Sequence, residues 1–495
     1  MAERTETLSI AQLMAESGVG FGTSGARGLA EAMSDRVCYA YTLGFLQYLE
    51  RLGVLHPGDE VMVAGDFRPS SPRIMAACMA AASDIGYTPR NSGYIPSPAV
   101  AAEGIARNTA SLMVTGSHIP DDRNGIKFNK PDGEVLKSDE AGIREQEVQI
   151  PLGLFDERGM FIEPPAELPI DGTARRHYLS RYLDFFPADC LAGSRVLSYE
   201  HSTVAASVMG EIFEALGAQV QCIGQSDVFV PVDTEAVRAE DVALGPQWAQ
   251  QFEFDMIISA DGDGDRPLIG DEQGQWLRGD ILGVLSAHYL QADAVVTPVS
   301  SNGVLELSDW FDSTWRTRIG SPYVIEAMQQ ALQDGARNVV GYEANGGFLT
   351  ASDIEVDGRV LPALPTRDAV LVALCVLLLA RRQGVAVSQL AGMLPPRFTA
   401  SDRLKSFPTE LSRERIEALD TGGAAIMAAT FPGLGEVQSV DRTDGLRMLF
   451  ANGEVVHLRP SGNAPELRCY NEADSLSRVT ELNRSCMAVL EVWRQ

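Results

Sequence analysis

A serine and a lysine lie close together in residues 114–127, VTGSHIPDDRNGIK. The preceding run, residues 110–114, is short and apolar, which predicts a strand, and Gly116 then opens a loop. A hydroxyl at the end of a strand with a cation nearby can act as a nucleophile, so Ser117 is a candidate for covalent chemistry with Lys127 beside it. Serine, glycine and proline are also common turn residues, so this segment alone is equally compatible with an ordinary polar turn.

Three aspartates at alternate positions form a second candidate site, in the sequence DGDGDR. They are Asp261, Asp263 and Asp265, and they follow the apolar run 256–259. Carboxylates this close repel each other unless a cation lies between them. An EF-hand loop fits poorly, because Arg266 stands where that loop needs glycine and the flanks are strand-like. We favour a site for a hard divalent ion, most simply Mg2+. A solvated acidic turn remains an alternative.

Two further loops offer hydrogen-bonding groups after apolar runs. The sequence RPSGN at residues 459–463 combines a guanidinium, a hydroxyl, an amide and backbone N–H groups, which suit a phosphate dianion. The sequence EANGG at residues 343–347 could hydrogen-bond vicinal sugar hydroxyls through Glu343. Each loop is also compatible with a plain turn.

The glycine-rich segment at residues 21–28, FGTSGARG, could present Arg27 to an anion. We do not expect a dinucleotide-binding fingerprint there, because no strand is predicted to lead into a GxGxxG pattern.

Apolar strands and helices alternate through most of the chain and position these loops. Residues 61–65, 196–199 and 294–297 each read as a strand followed by a polar loop and a helical pattern, which favours α/β units with mixed sheets. The tail differs: Asn452-Gly453 predicts a hairpin with a type I′ turn, and a closing helix follows at residues 475–493.

The length of 495 residues predicts three or four domains, at roughly 100–200 residues each. We therefore predict three tandem α/β mixed-sheet domains plus a C-terminal α+β domain around a central cleft. The predicted limits are residues 1–165, 166–275, 276–395 and 396–495.

Composition excludes several classes of partner. A net charge of −27 argues against a nucleic acid or an anionic membrane as partner. The first seven residues lack the apolar core of a secretory signal, and the longest apolar run, residues 369–380, is too short to span a membrane and predicts a buried helix. Seven cysteines without a CxxC pair predict reduced thiols, no zinc site and a cytoplasmic protein.

The chain resembles the α-D-phosphohexomutase superfamily along essentially its whole length. The resemblance rests on five segments in this order: the arginine loop, the serine loop, DGDGDR, the glutamate loop and RPSGN. The resemblance implies the same four-domain architecture and an enzyme that interconverts hexose 6-phosphates and hexose 1-phosphates. It also implies a small phosphosugar as partner, Mg2+ as cofactor and a hexose 1,6-bisphosphate as intermediate and activator. The oligomeric state, monomer or dimer, stays open.

Roles are assigned by motif. The resemblance makes Ser117 the phosphoserine, with Lys127 as general acid or base, its pKa lowered toward neutrality by neighbouring cations. Arg27 and Arg266 would steady the transferring phosphoryl group. The residues that would hold Mg2+ are the phosphorylated Ser117 with Asp261, Asp263 and Asp265. The residues that would bind substrate are Glu343 and Asn345 at the sugar, and Arg459, Ser461, Gly462 and Asn463 at the phosphate that is not reacting.

Two histidines of the superfamily pattern are missing. Gly347-Phe348 and Ser321 stand where relatives carry them, so proton transfer would depend on Lys127 or His118. The EANGG loop and the SGNAPELRCY ending are most similar to chains described as phosphomannomutases, which favours mannose phosphates. A phosphoglucomutase and a phosphoglucosamine mutase are the nearest alternatives. From other classes, a metal-dependent phosphohydrolase would release inorganic phosphate, and a non-catalytic phosphosugar-binding protein would not need the full set of residues.

Overall fold

The computed structural model describes residues 5–22, 25–461 and 465–494. Its N-terminal part contains nine strands: β1 (Thr5–Ser9), β2 (Gly20–Phe21), β3 (Ala26–Leu29), β4 (Glu60–Gly65), β5 (Thr88–Tyr94), β6 (Ala110–Val114), β7 (Arg123–Lys130), β8 (Gly133–Glu134) and β9 (Glu147–Pro151). The helices are α1 (Ile10–Ser17), α2 (Asp35–Arg51), α3 (Ser71–Asp84), α4 (Ser97–Ala106) and α5 (Lys137–Arg144). The main sheet has the order β2-β3-β7-β6-β4-β5, with β8 on β7, and it is mixed: β4 pairs in parallel with β5 and β6, whereas β7 is antiparallel to β6 and β3.

The second and third sheets share one topology. The second part contains α6 (Thr173–Phe185), β10 (Arg195–Tyr199), α7 (Ala206–Ala215), β11 (Gln219–Ile223), α8 (Ala239–Gln251), β12 (Met256–Ala260) and β13 (Pro267–Asp271). The third contains α9 (Gly279–Tyr289), β14 (Ala294–Pro298), α10 (Val304–Leu307), β15 (Ser313–Thr317), α11 (Ser321–Gln333), β16 (Val339–Tyr342), β17 (Phe348–Thr350), β18 (Ile354–Val356), β19 (Arg359–Leu361), α12 (Ala369–Gln383) and a 3-10 helix (Val387–Met393). The orders are β11-β10-β12-β13 and β15-β14-β16-β17, each with three parallel strands and one antiparallel edge strand.

The C-terminal part is an antiparallel sheet with helices. It contains β20 (Phe398–Lys405), α13 (Thr409–Thr421), α14 (Gly423–Thr430), β21 (Val437–Asp441), β22 (Leu446–Phe450), β23 (Val455–Pro460), β24 (Glu466–Ala473) and α15 (Leu476–Val492). The strand order is β20-β24-β23-β22-β21. Three α/β mixed sheets followed by an α+β unit confirm the predicted fold class.

The apolar run at residues 369–380 is the buried helix that the sequence predicts. Every residue from Ala369 to Ala380 is buried. Asp368 caps α12 by accepting hydrogen bonds from the backbone N–H groups of Val370 and Leu371, and Gly384 ends it in the left-handed conformation with φ +67°. Within the part of the chain that the structure describes, no single helix is long and apolar enough to cross a membrane; α12 and the 3-10 helix reach that length only together, across a bend of 79°.

Two local predictions need correction. The β22–β23 hairpin forms, but only Gly453 has a positive φ (+83°), so Asn452-Gly453 is not a type I′ turn; the loop spans residues 451–454. A two-residue strand, β2, does precede Gly22, contrary to expectation. It pairs antiparallel with β3 and leads into no helix, so the segment still lacks the form of a dinucleotide-binding loop.

One hydrophobic cluster draws side chains from the first three sheets, and a separate cluster lies within residues 8–150. One cluster of buried side chains includes Met113 from the first sheet, Ile258 from the second and Val295 from the third. Residues 404–490 contribute a separate cluster. The predicted domain limits stay a prediction, since this shared core does not mark them.

Candidate active site

Three of the candidate loops occupy equivalent places in their sheets. Each joins two antiparallel neighbours: residues 115–122 join β6 to β7, 261–266 join β12 to β13, and 343–347 join β16 to β17. The RPSGN segment begins at the end of β23, which pairs antiparallel with β24. A hairpin loop lies at the carboxyl end of its first strand and is anchored by a hydrogen-bonded ladder on both sides. The short apolar strands that the sequence predicts therefore end at loops that are fixed at both ends.

Ser117 is buried and has a strained backbone. Its φ of +59° lies in the left-handed region, which costs a residue with a side chain about 1–2 kcal/mol. Its N–H donates to Thr115 Oγ1 at 2.7 Å, and that hydroxyl donates to Asp66 Oδ2 at 2.7 Å. The Ser117 hydroxyl donates to Asp261 Oδ2 at 2.8 Å. The loop thus holds the serine oxygen against the aspartate cluster.

Arg68 packs against this loop and hydrogen-bonds to its backbone. Its guanidinium is buried, pairs with Asp66, and donates to the backbone carbonyl of Ser117 at 3.0 Å. It also lies 4.0 Å from the centre of the Phe229 ring, a cation–π contact. A Cβ at Gly116 would come within 2.9 Å of the guanidinium, so glycine is needed there for the loop to cross over it.

The three aspartates converge as the sequence predicts. Asp261, Asp263 and Asp265 are fully buried, and each offers one ligand atom within 4.8 Å of the others. Burial, and then repulsion from Asp263 and Asp265, raises the pKa of Asp261 to about 8. Ser97 donates to Asp263 Oδ2 at 2.6 Å. Such a cluster is unfavourable without positive charge at its centre.

The donor set fits a hard divalent cation. Among residues 5–22, 25–461 and 465–494, Asp263 Oδ1 and Asp265 Oδ1 find no hydrogen-bond donor although both atoms are buried. Buried carboxylate oxygens normally have a partner. Mg2+ prefers oxygen ligands, and a carboxylate oxygen that accepts no hydrogen bond is free to bind it. The residues that could hold Mg2+ are therefore Asp261, Asp263 and Asp265.

Lys127 faces the aspartates from β7, and its pKa is not lowered as predicted. Its Nζ donates to Asp263 Oδ2 at 2.5 Å and to Asp265 Oδ2. Burial disfavours the charged form, but Asp263 and Asp265 outweigh burial and raise the pKa of Lys127 above its ordinary value. The sequence could not show that carboxylates rather than cations are its nearest neighbours.

His118 and Arg266 form a pair beside the serine. Arg266 Nη1 lies 2.6 Å from His118 Nδ1. A guanidinium only donates, so Nδ1 is the acceptor and Nε2 carries the proton. Burial, followed by the charge of Arg266, lowers the pKa of His118 to about 3. In this geometry His118 orients Arg266 and has no free lone pair for base catalysis.

Arg27 adds a further positive charge. Burial, and then Arg266, lowers the pKa of Arg27 to about 10, which leaves it protonated at neutral pH. Guanidinium groups held close together repel each other, and an anion such as a phosphate would relieve that repulsion.

Glu343 is joined to this cluster by an arginine that the sequence interpretation missed. Arg367 donates to Glu343 Oε2 at 3.2 Å and to Asp265 Oδ2 at 3.0–3.1 Å. Asn345 is buried, and its Oδ1 accepts from the Gly347 N–H at 2.9 Å, which shapes the turn. Glu343 is therefore not the exposed acid of a plain glycine-rich turn.

The C-terminal loop is described only in part. Arg459 Nε donates to Asp444 Oδ2 at 2.8 Å, and Ser461 is buried. Gly462 and Asn463 lie outside the described residues. A cavity separates the glutamate loop from the last sheet, and its lining includes Ala344 and Tyr470.

Comparisons with known proteins agree with this geometry. Residues 18–149, 278–398 and 414–488 match family models described as phosphoglucomutase/phosphomannomutase alpha/beta/alpha domain I, alpha/beta/alpha domain III and C-terminal domain. The chain is 43% identical over 461 residues to the phosphomannomutase of Salmonella muenchen, covering 93% of each, and 42% identical over 470 residues to that of Sinorhizobium fredii (strain NBRC 101917 / NGR234), covering 95% of this chain and 98% of the relative. A phosphoglucomutase/phosphomannomutase family protein from Burkholderia thailandensis has a similar fold, with a TM-score of 0.72, 18% identity and 98% of each chain covered.

Proposed function

Since the chain belongs to the phosphoglucomutase/phosphomannomutase family and is a phosphohexomutase, we propose that it interconverts mannose 6-phosphate and mannose 1-phosphate. Two relatives more than 40% identical over nearly the whole chain are phosphomannomutases, which supports mannose over glucose and glucosamine. The observation that carries the catalytic assignment is the hydrogen bond from Ser117 Oγ to Asp261, one of the three aspartates proposed to hold the metal.

Ser117 is the proposed carrier of the phosphoryl group. The free hydroxyl of the hexose monophosphate attacks the serine phosphate, so an O–P bond to the sugar forms as the Oγ–P bond breaks. Lys127, protonated in its ion pairs, gives a proton to Oγ, and the proton released by the sugar hydroxyl restores it. The hexose 1,6-bisphosphate then turns over, and the reverse step returns its other phosphoryl group to Ser117.

Charge neutralisation is the main task of the remaining groups. Phosphoryl transfer needs positioning and compensation of the oxygen charges. Arg27 and Arg266 lie within the buried cluster and would approach the transferring group. Bound at Asp261, Asp263 and Asp265, Mg2+ would supply further positive charge to the phosphate oxygens.

The other end of the substrate is proposed to bind at the last two loops. Glu343 and Asn345 would contact sugar hydroxyls, and Arg459, Ser461, Gly462 and Asn463 would bind the phosphate that is not reacting. A separate phosphate loop is useful because the bisphosphate must be held in both orientations. The seven cysteines are all unpaired, which supports the proposed cytoplasmic location.

Intact-mass spectrometry and turnover test the proposal together. Protein incubated with mannose 1,6-bisphosphate should gain one phosphoryl group, and it should then equilibrate mannose 1-phosphate with mannose 6-phosphate, faster with catalytic amounts of the bisphosphate. Glucose and glucosamine 1-phosphates, assayed in parallel, should react with lower kcat/KM. Stoichiometric release of inorganic phosphate would instead indicate a phosphohydrolase, and binding without adduct or turnover would indicate a non-catalytic protein.

A further inference from the structure

Arg367 is a buried arginine that contacts carboxylates from three sheets. It is 1% exposed and immediately precedes α12. Its Nη1 reaches Glu343 in the third sheet, and Nε and Nη2 reach Asp265 in the second. Its Nη2 also lies 3.8 Å from Glu134 Oε1, on β8 of the first sheet. A fully buried guanidinium is retained only where acceptors surround it.

The backbone beside Arg367 is fixed. Asp368 caps α12, and its carboxylate accepts hydrogen bonds from Tyr178 at 2.8 Å and from Tyr182. Thr366, on the other side, donates to Glu134 Oε1 at 2.7 Å. The backbone at Arg367 is therefore held on both sides. Its side chain can in turn hold the carboxylates that it contacts in fixed orientations.

Gly347 provides the space for the Arg367 side chain. A Cβ at residue 347 would lie 2.5 Å from Arg367 Cδ and 2.7 Å from Cγ, too close for both to keep their positions, so the arginine stem or the loop must shift. One of the two missing superfamily histidines was expected at Gly347-Phe348. A side chain at residue 347 and the observed Arg367 conformation exclude each other, so here a guanidinium from a different element stands next to Glu343.

Arg367 also determines which carboxylate oxygens are free. It engages Oδ2 of Asp265, the atom that also faces Lys127, and leaves Oδ1 without a donor among the residues that the structure describes. On Glu343 it engages Oε2. Its planar fork, unlike an ammonium, can hold two carboxylates at once in a defined orientation.

We propose that Arg367 is a positioning residue that couples the metal loop at Asp265 to the sugar loop at Glu343, with Gly347 as the opening that admits it. In this role Arg367 acts through the two carboxylates that it contacts, Asp265 at the metal loop and Glu343 at the sugar loop. Only the sugar half of this assignment rests on the proposed function.

Two variants test the coupling without removing the positive charge. Arg367→Lys keeps the charge but loses the fork, and Gly347→Ala keeps the arginine but displaces its stem. By isothermal titration calorimetry, each variant should raise the Kd for Mg2+ and the Kd for mannose 6-phosphate, both by about tenfold, the size typical of lost groups that orient ligands. Matched controls are Arg381→Lys at the other end of α12 and Gly392→Ala, where a Cβ would meet nothing within 4 Å; both should leave the two Kd values unchanged.

The outcomes separate the possibilities. Kd values within twofold of wild type in both variants, or an effect on only one ligand, would overturn the coupling. If Arg367→Lys does not fold, Gly347→Ala decides. If wild-type protein binds no hexose phosphate, the proposed function fails; the Mg2+ titrations then decide whether Arg367 positions Asp265, with a weakened Kd in Gly347→Ala supporting that half and an unchanged one refuting it.

Discussion

Ser117 and Asp261 are 144 residues apart in the chain, and a 2.8 Å hydrogen bond joins their side chains. This contact connects the loop of the first sheet to that of the second. It joins two motifs that are each ambiguous in the sequence into one candidate site, and a serine hydrogen-bonded to the candidate metal cluster supports the proposed phosphoryl transfer over an ordinary turn.

Replacement of the serine should abolish turnover and leave binding intact. In Ser117→Ala we expect kcat to fall at least about a thousandfold, since the acceptor oxygen is removed, while mannose 6-phosphate still binds. Intact mass should show no phosphate adduct after incubation with the bisphosphate. Ser485→Ala, on the exposed side of α15, is the control. Activity of Ser117→Ala near that of wild type would refute the phosphoserine assignment.

Asp263→Asn should weaken Mg2+ binding. Loss of one anionic ligand is expected to raise the Mg2+ concentration for half-maximal rate at least about tenfold, with an unchanged circular dichroism spectrum. Calorimetric titration with Mg2+ gives the same comparison without turnover. Asp309→Asn changes an exposed aspartate in the same way and should behave as wild type. An identical metal response in both variants would mean that the acidic loop is only a turn.

Arg459→Ala should affect substrate binding more than chemistry. A charge-assisted hydrogen bond is worth about 1.5–3 kcal/mol, so we expect KM for mannose 1-phosphate to rise about ten- to a hundredfold with a smaller change in kcat. Steady-state kinetics measure KM and kcat. Arg484→Ala, at an exposed position of α15, is the control. A kcat defect at constant KM would contradict a role in holding the phosphate that is not reacting.

The C-terminal sheet should lose stability in mild acid because of His457. Burial lowers the pKa of His457 to about 4, below its ordinary 6.5, while its Nε2 lies 2.7 Å from the Asp444 carbonyl. Between these two values the unfolded chain binds a proton that the folded chain does not, so stability is present at pH 7 and falls as the pH drops toward 4. From pH 7 to pH 5 this amounts to about 2 kcal/mol.

His457→Gln keeps a donor but does not titrate. Its melting temperature should therefore fall less than that of wild type between pH 7 and pH 5, as measured by scanning calorimetry. His56→Gln, at an exposed histidine, should retain the full wild-type decrease. Equal decreases in all three proteins would show that His457 does not contribute.

The sequence predicted the positions where the strands end, because short apolar runs followed by polar or glycine-rich residues are local signals. Asp261 and Glu343 were found for that reason. Arg367 was missed, since a charged residue before an apolar helix is ordinary in sequence and gains its role only when three sheets meet. The pKa of Lys127 was predicted in the wrong direction for the same cause: its neighbours are Asp263 and Asp265, from a distant part of the chain.

The candidate site is divided among loops of different sheets, and in the described part of the chain no single sheet carries all of its groups. During refolding, strands and helices can therefore recover while the reactive centre is still divided among separate units. Recovery of activity therefore requires these units to pack against one another. A substitution that weakens an interface far from Ser117 can abolish activity while the secondary structure stays intact.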